Sequence, residues 1–127
     1  MLKRTHSARE IAPLLVGQRV VLNGWIDTRR DHGGLIFVDL RDRSGIVQLV
    51  FSPDVDEKAF RLAEEMRSEH VIGAEGVVRM RPEGTENLNL ETGTVEVYVD
   101  KAEIFSRAKT PPFYIEDGIE VDEHLRL

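Results

Sequence analysis

The stretch GLIFVDLRDRSGIVQLVF, residues 34–51, contains two short runs in which every second residue is apolar. Alternation with a period of two is the pattern of a strand that buries one of its faces. The polar residues 42–45 (DRSG) between the two runs are typical of a hairpin connection. We therefore predict two antiparallel strands joined by a tight turn.

An aromatic ring and an amide share the outer face of this hairpin. The consistently apolar positions face the core, which leaves Phe37 outward on the first strand and Gln48 outward on the second. If Arg41 pairs with Ile46, Gln48 lies opposite Asp39 and within about 7–8 Å of Phe37 on the diagonal. An outward ring beside an amide can stack on a nucleic-acid base and hydrogen-bond to its edge. The alternative is an exposed phenylalanine that a loop or another domain covers.

Composition is typical of one globular domain. The chain has 127 residues, 41% of them hydrophobic, and no apolar run approaches the roughly 20 residues of a membrane span. It has no cysteine, and its four histidines are scattered without the spacing of metal ligands, so we expect neither a disulfide nor a metal site. The N-terminal residues lack a signal-peptide pattern, and we expect a cytoplasmic protein.

The net charge of −6 argues against broad electrostatic binding of nucleic acid. The acidity is local, because residues 54–69 carry six acidic and three basic side chains, and residues 114–127 carry five and one. The other positions carry 12 acidic and 13 basic side chains. The sequence therefore allows a small nucleic-acid footprint and excludes a general cationic surface.

Helical signals occur at two places. Ser7 followed by Glu10 is a capping box, and Pro13 limits that segment to a short helical turn. Pro53 is suited to the first position of a helix, and an apolar stripe extends from there to Met66. We expect this second helix to plug one end of a barrel.

Three further strands complete the pattern, and they are predicted over residues 18–29, 70–81 and 94–104. Gly24 marks a bulge or bend of the kind that curls a sheet. Three strands, a helix and two strands give the order of an all-β OB-fold, a five-stranded Greek-key barrel. Such barrels bind oligonucleotides on strands 2 and 3, here between loops at residues 30–34 and 82–93. The fold and the hairpin's outer face therefore indicate the same surface.

One block of sequence is specific to a known family. Residues 29–50, RRDHGGLIFVDLRDRSGIVQLV, strongly resemble the N-terminal anticodon-binding domain of bacterial aspartyl-tRNA synthetases, which are class II enzymes. Gly24-Trp25-Ile26, the segment from Thr92 to Val97, and Lys109–Phe113 are similar to the same family. The resemblance covers essentially the whole chain, and residues 123–127 resemble the segment that leads into the catalytic domain.

The resemblance implies roles for eight residues. Phe37 would stack on the central anticodon base, a uridine, and Gln48 would hydrogen-bond to the edge of that base. Glu96 would read the first base, a guanine or its modified form, because a carboxylate can accept hydrogen bonds from N1–H and the N2 amino group together. The other implied contacts are those of Arg30, Arg79 and Arg81 with bases and phosphates, and those of Asn87 and Asn89 near the third base, a cytosine.

These roles have structural alternatives. The three arginines are also readable as surface charges paired with Asp31 or Glu83, the two asparagines as turn formers, and Glu96 as a solvated side chain. Thr28 departs from the family, many members of which carry a third consecutive arginine there, and this change can weaken one phosphate contact.

The resemblance also implies a parent enzyme. That enzyme would be an aspartate–tRNA ligase, a homodimer that uses ATP and Mg²⁺. Residues 1–109 would form the OB-fold domain, and residues 110–127 a linker towards a catalytic domain that the chain lacks. We expect the chain alone to be a monomer that binds tRNA, holds no cofactor and does not aminoacylate.

Two other functions remain open at this point. The anticodon-binding domain of an asparagine or lysine synthetase is one, because those anticodons share the central uridine. A free-standing protein that binds single-stranded nucleic acid is the other, although a more basic groove with several aromatic residues is usual there.

Overall fold

A computed structural model describes residues 2–107, which form one closed barrel of five strands. The strands are β1 (Arg19–His32), β2 (Leu35–Arg41), β3 (Ile46–Phe51), β4 (Val71–Met80) and β5 (Val95–Ser106). Two short 3-10 segments, Ala8–Glu10 and Pro13–Leu15, precede β1, and helix α1 (Glu57–Glu65) lies between β3 and β4. The predicted order of strands and helix is confirmed. The predicted linker at residues 110–127 lies outside the described residues.

The long first strand closes the barrel. The strand order is β1-β2-β3-β5-β4, in which β3 and β5 are parallel and all other neighbours are antiparallel. β1 pairs with β4 through its first half and with β2 through its second half, with a shift in register between Ile26 and Thr28. This bulge lies slightly beyond Gly24, where the sequence predicted a bend. Gly24 instead permits a close approach, because a Cβ atom there would lie 2.3 Å from the carbonyl oxygen of Arg41.

The barrel interior contains the apolar positions that alternation assigned to it. The inward residues of the hairpin strands are at most 2% exposed, and they are Ile36, Val38, Leu40, Val47, Leu49 and Phe51. The pairing of Arg41 with Ile46 and of Asp39 with Gln48 is confirmed. The hairpin therefore has the predicted register, and Phe37 and Gln48 lie on its outer side.

Helix α1 covers the barrel as predicted but begins later than the sequence indicated. Asp56 is its N-cap, and the Asp56 carboxylate accepts a hydrogen bond of 2.9 Å from the backbone N–H of Ala59. The cap satisfies a backbone donor at the helix start, which Pro53 cannot do, so residues 53–55 remain a turn. Ala59, Ala63 and Met66 pack against the barrel core.

The first predicted loop is shorter than expected. β1 continues to His32, so only Gly33 and Gly34 connect it to β2, and both have positive φ angles, 59° and 81°. Arg30 consequently lies within a strand, directly paired with Phe37. The second loop, between the end of β4 at Met80 and the start of β5, is present as predicted.

Candidate nucleic-acid interface

Two half-buried aromatic side chains lie in one row across the outer face of the barrel. Phe37 of β2 pairs with Val50 of β3, and Val50 pairs with Tyr98 of β5. We call these three residues the aromatic row. Strands in a sheet are about 4.8 Å apart, so the two rings lie roughly 10 Å from each other across Val50. The row lines a cavity of about 430 Å³.

A second row, the polar row, consists of Asp39, Gln48 and Glu96. Each of these residues lies two positions from a member of the aromatic row on the same strand. The Gln48 Nε2 group donates a hydrogen bond of 2.8 Å to Glu96 Oε1, and Gln48 Oε1 accepts one of 3.0 Å from Arg30 Nη2. Arg30 Nη1 also donates to Asp39 Oδ2 at 3.3 Å, and the Thr28 hydroxyl donates to the same oxygen at 2.8 Å. The polar row is therefore one continuous hydrogen-bonded chain from β1 to β5.

Arg30 links the two rows. Its guanidinium carbon lies 5.8 Å from the centre of the Phe37 ring, within the range of a cation–π contact. The Arg30 side chain is 52% exposed, so it can leave the ring without disturbing the core. Arg30 therefore contacts both the Phe37 ring and the Gln48 amide.

Glu96 is buried, and its interpretation as a solvated glutamate is wrong. Only 2% of its surface is exposed. Burial raises the pKa of the Glu96 carboxyl above its ordinary value of 4.5, while the hydrogen bond from Gln48 and the charge of Arg81 oppose that rise. A buried acceptor that faces a cavity is suited to a ligand that presents hydrogen-bond donors.

The raised pKa of Glu96 predicts pH-dependent binding of such a ligand. Hydrogen-bond donors bind the ionised carboxylate, so binding releases the proton, and affinity should rise with pH up to the raised pKa and then level off. Folding stability should change in the opposite direction. The folded carboxyl holds its proton more tightly than the unfolded one, so its contribution to stability falls as pH rises from near 4.5 through the raised pKa. Dissociation constants for a guanine-containing stem-loop, measured from about pH 5 to about pH 8, test the binding trend. Glu96→Gln should remove this dependence, and a dependence that persists in that variant would assign it to another group.

Arg81 contributes a buried cation beside Glu96. It is 8% exposed, and its Nε donates a hydrogen bond of 3.0 Å to the backbone oxygen of Val95. Burial lowers the pKa of the Arg81 guanidinium, and the charge of Glu96 partly offsets this. Its Nη2 atom is buried and has no hydrogen-bond partner among residues 2–107. An unmade hydrogen bond of this kind costs about 1–3 kcal/mol, which makes Arg81 a candidate to bind an acceptor group of a ligand.

Comparison with known proteins identifies the family. Residues 20–105 match the tRNA anti-codon family model, which describes an OB-fold nucleic acid binding domain. The chain belongs to this family. The OB-fold that the sequence predicted is thereby confirmed, and its predicted binding surface is the one that carries the two rows.

Individual relatives of this OB-fold domain are tRNA ligases. The chain is 68% identical to the aspartate–tRNA(Asp/Asn) ligase of Syntrophomonas wolfei over 99% of its own length and 22% of that protein. The corresponding enzyme of Heliobacterium modesticaldum is 56% identical over 99% of the chain and 21% of that protein. Among solved structures, the asparaginyl-tRNA synthetase of Pyrococcus horikoshii is similar with a TM-score of 0.71 and 31% identity, over 86% of this chain and 24% of that one. The chain thus spans about a fifth of the length of the curated relatives it matches.

The fold brings six of the eight predicted site residues of this OB-fold domain together. The cavity is lined by Arg30, Phe37, Gln48, Arg81, Asn87 and Glu96. Arg79 pairs in register with Glu96 but is exposed and does not line the cavity. Asn89 lines a separate depression beside Arg41 and Glu91. Arg79 and Asn89 therefore do not share the cavity with the other six predicted residues.

Asn87 combines a cavity position with a role in its own loop. Its side-chain oxygen accepts a hydrogen bond from the backbone N–H of Asn89 at 3.0 Å, and its backbone N–H donates to the Gly93 carbonyl at 2.9 Å. The turn-forming alternative is therefore correct for the side-chain oxygen of Asn87. Asn87 nevertheless lines the cavity.

Sequence reasoning missed several residues that line the cavity, including Tyr98, His32 and Thr85. Tyr98 carried a usable signal, because it is two residues after Glu96 on the outer face of a strand and alternation assigns both to one side. The sequence carries no comparable signal for His32 and Thr85. Their positions at the cavity depend on the length of β1 and on the path of the loop after β4.

The described residues contain no candidate metal site and no candidate membrane-spanning helix. Within residues 2–107, no group of three or more histidine, aspartate or glutamate side chains is arranged to hold a metal ion. In the same part of the chain, no helix has the length and apolar character needed to cross a membrane.

Proposed function

We propose that this chain is the anticodon-reading domain of an aspartate–tRNA ligase and that its two rows read the first and central anticodon bases. Membership of an OB-fold nucleic acid binding family and relatives named aspartate–tRNA(Asp/Asn) ligase support this proposal. The anticodons for aspartate and asparagine share guanine at the first base and uridine at the second. A domain that reads these two bases accepts both tRNAs.

The fixed orientation of the Gln48 amide is the observation that carries the proposal. Arg30 can only donate hydrogen bonds, so the amide oxygen must face it, and an ionised Glu96 can only accept, so the amide nitrogen must face Glu96. One N–H and one lone pair of the amide remain for a ligand. Uracil presents the O4 acceptor beside the N3–H donor, whereas cytosine presents the N4 donor beside the N3 acceptor. An amide held in one orientation can therefore distinguish uridine from cytidine.

The other contacts follow from the same geometry. Phe37 supplies a ring on which the central base stacks, and Glu96 accepts hydrogen bonds from the guanine of the first base. Arg81 and the amino group of Asn87 donate to acceptors of the bases or of the backbone. Arg79 and Asn89 are proposed as peripheral contacts, with phosphate for Arg79 and with the third base for Asn89.

The same proposal includes the domain organisation of the chain and the activity of the parent enzyme. Residues 1–109 form the recognition domain, and residues 110–127 form a linker towards the catalytic domain of the parent enzyme. The parent enzyme activates aspartate with ATP and Mg²⁺ in the cytoplasm, as a homodimer. The chain alone holds no cofactor, is monomeric and binds the anticodon stem-loop without aminoacylating it.

A fluorescence anisotropy titration tests this function. The chain is mixed with a stem-loop carrying the anticodon GUC or a matched one carrying GCC, at low and moderate salt. We expect the uridine stem-loop to bind at least about tenfold more tightly, because the cytidine edge opposes the fixed amide of Gln48. Equal and strongly salt-dependent binding of both would indicate a general single-strand binder and would overturn the proposal, as would the absence of binding.

A further inference from the structure

We propose that Tyr98 is a second stacking platform and that it holds the base whose edge Glu96 reads, beside the base stacked on Phe37. This inference rests on the proposed function and adds a residue to it. Phe37 and Tyr98 are at the two ends of the aromatic row, and both line the same cavity. Two adjacent nucleotides of a single strand would then have one aromatic ring each.

The register supports this pairing of rings with polar partners. Glu96 is two residues before Tyr98 on the same face of β5, and Gln48 is two residues before Val50 on β3. A base on the Tyr98 ring therefore directs its edge towards Glu96, roughly 7 Å along the strand. A base on the Phe37 ring directs its edge towards Gln48, which lies on the neighbouring strand. Each base has a ring beneath it and a different reader at its edge.

Val50 between the two rings is suited to this arrangement. It is 1% exposed and presents no polar group, so the floor between the platforms is apolar and closed. Tyr98 is half-buried, and its phenol has a raised pKa because of burial, the neighbouring charge of Glu96 and a hydrogen bond that the hydroxyl donates to the Glu96 carboxylate. The ring therefore remains neutral near pH 7 and offers a π-face for stacking, which contributes without sequence preference.

The chemistry of Glu96 selects the base that this platform holds. A carboxylate with two accepting oxygens matches guanine, which presents N1–H and N2–H donors side by side. Uracil offers a single donor, N3–H, and adenine and cytosine each offer one amino group. The ligand class of the whole surface is therefore a guanine next to a uracil in an unpaired strand.

Stem-loops with single abasic positions test the role of Tyr98. Tyr98→Leu removes the ring, Tyr98→Phe retains it, and Phe105→Leu is the matched control because Phe105 packs with Trp25 and Val71 in a separate cluster. For the GUC stem-loop we expect Tyr98→Leu to weaken binding about tenfold, and Tyr98→Phe and Phe105→Leu to change it less than about twofold. The loss should persist when the central base is abasic and vanish when the first base is abasic.

The outcomes separate this inference from the proposed function. If wild-type protein does not prefer GUC over GCC, the proposed function fails and the role of Tyr98 fails with it. If that preference is present and Tyr98→Leu binds GUC as wild type does, only the Tyr98 platform is overturned. A Tyr98→Leu loss that persists on the stem-loop with an abasic first base would also overturn it, because the ring would then act on the fold of the site.

Discussion

Phe37→Ala is expected to weaken binding of the GUC stem-loop by about tenfold to a hundredfold. The ring is half-buried on the outer face and belongs to the aromatic row, so its removal takes away the stacking surface of the central base. The interior of the barrel does not include Phe37, so the fold should persist. Anisotropy titrations give the affinity, and circular dichroism during thermal unfolding gives the stability.

Two variants control this experiment. Phe37→Tyr keeps a ring and should bind within about threefold of wild type. Leu14→Ala removes an apolar side chain that is 89% exposed and does not line the cavity, and it should bind as wild type does. Unfolding of Phe37→Ala would mean that the ring belongs to the core, and unchanged affinity in a folded Phe37→Ala protein would remove Phe37 from the site.

Glu96→Gln should abolish most of the preference for guanine at the first anticodon base. Wild-type protein is expected to favour guanosine over adenosine there by about tenfold to a hundredfold, because hydrogen bonds to a charged group contribute about 1.5–3 kcal/mol. In the variant, one accepting oxygen becomes an amino group that opposes a guanine donor. The ratio of dissociation constants for GUC and AUC stem-loops measures the effect, and we expect it to fall below about threefold.

Glu75→Gln is the matched control for this substitution. Glu75 lies on β4, forms an ion pair with Arg19 and does not line the cavity. The control should keep the guanine preference of the wild type. A Glu96→Gln protein with the wild-type ratio would show that another group reads the first base.

The sequence predicted which strand face each site residue occupies more reliably than how deeply the residue is buried or which residues surround it. Alternation assigned Phe37 and Gln48 to the outer face because strand periodicity is local, and the register between Asp39 and Gln48 followed from the short turn. The burial of Glu96 was not predictable in this way. It depends on the parallel pairing of β3 with β5, which brings together residues 48 positions apart in the chain.

The positions of Arg30 and Tyr98 at the cavity also depend on contacts between distant segments. Arg30 was assigned to a loop, and its actual place in β1 follows from how far the strand pairing continues beyond the bulge. Tyr98 joins the site through its pairing with Val50, again across the parallel ladder. Local patterns therefore predicted the barrel and the outward positions of Phe37 and Gln48, and the family resemblance named the other predicted site residues. The burial and grouping of these residues depend on strand pairing between distant segments.

A nuclear magnetic resonance titration of the isotopically labelled chain with the GUC stem-loop tests the central claim most directly. It reports on each amide separately, including the side-chain amide of Gln48, whose remaining N–H should contact the central uridine. We predict that the largest shifts occur at this side chain and at the backbone amides of the aromatic and polar rows. Residues of the groove between α1 and β5, such as Arg61 and Lys101, should not shift. Shifts concentrated in that groove, with an unchanged Gln48 side chain, would contradict the account.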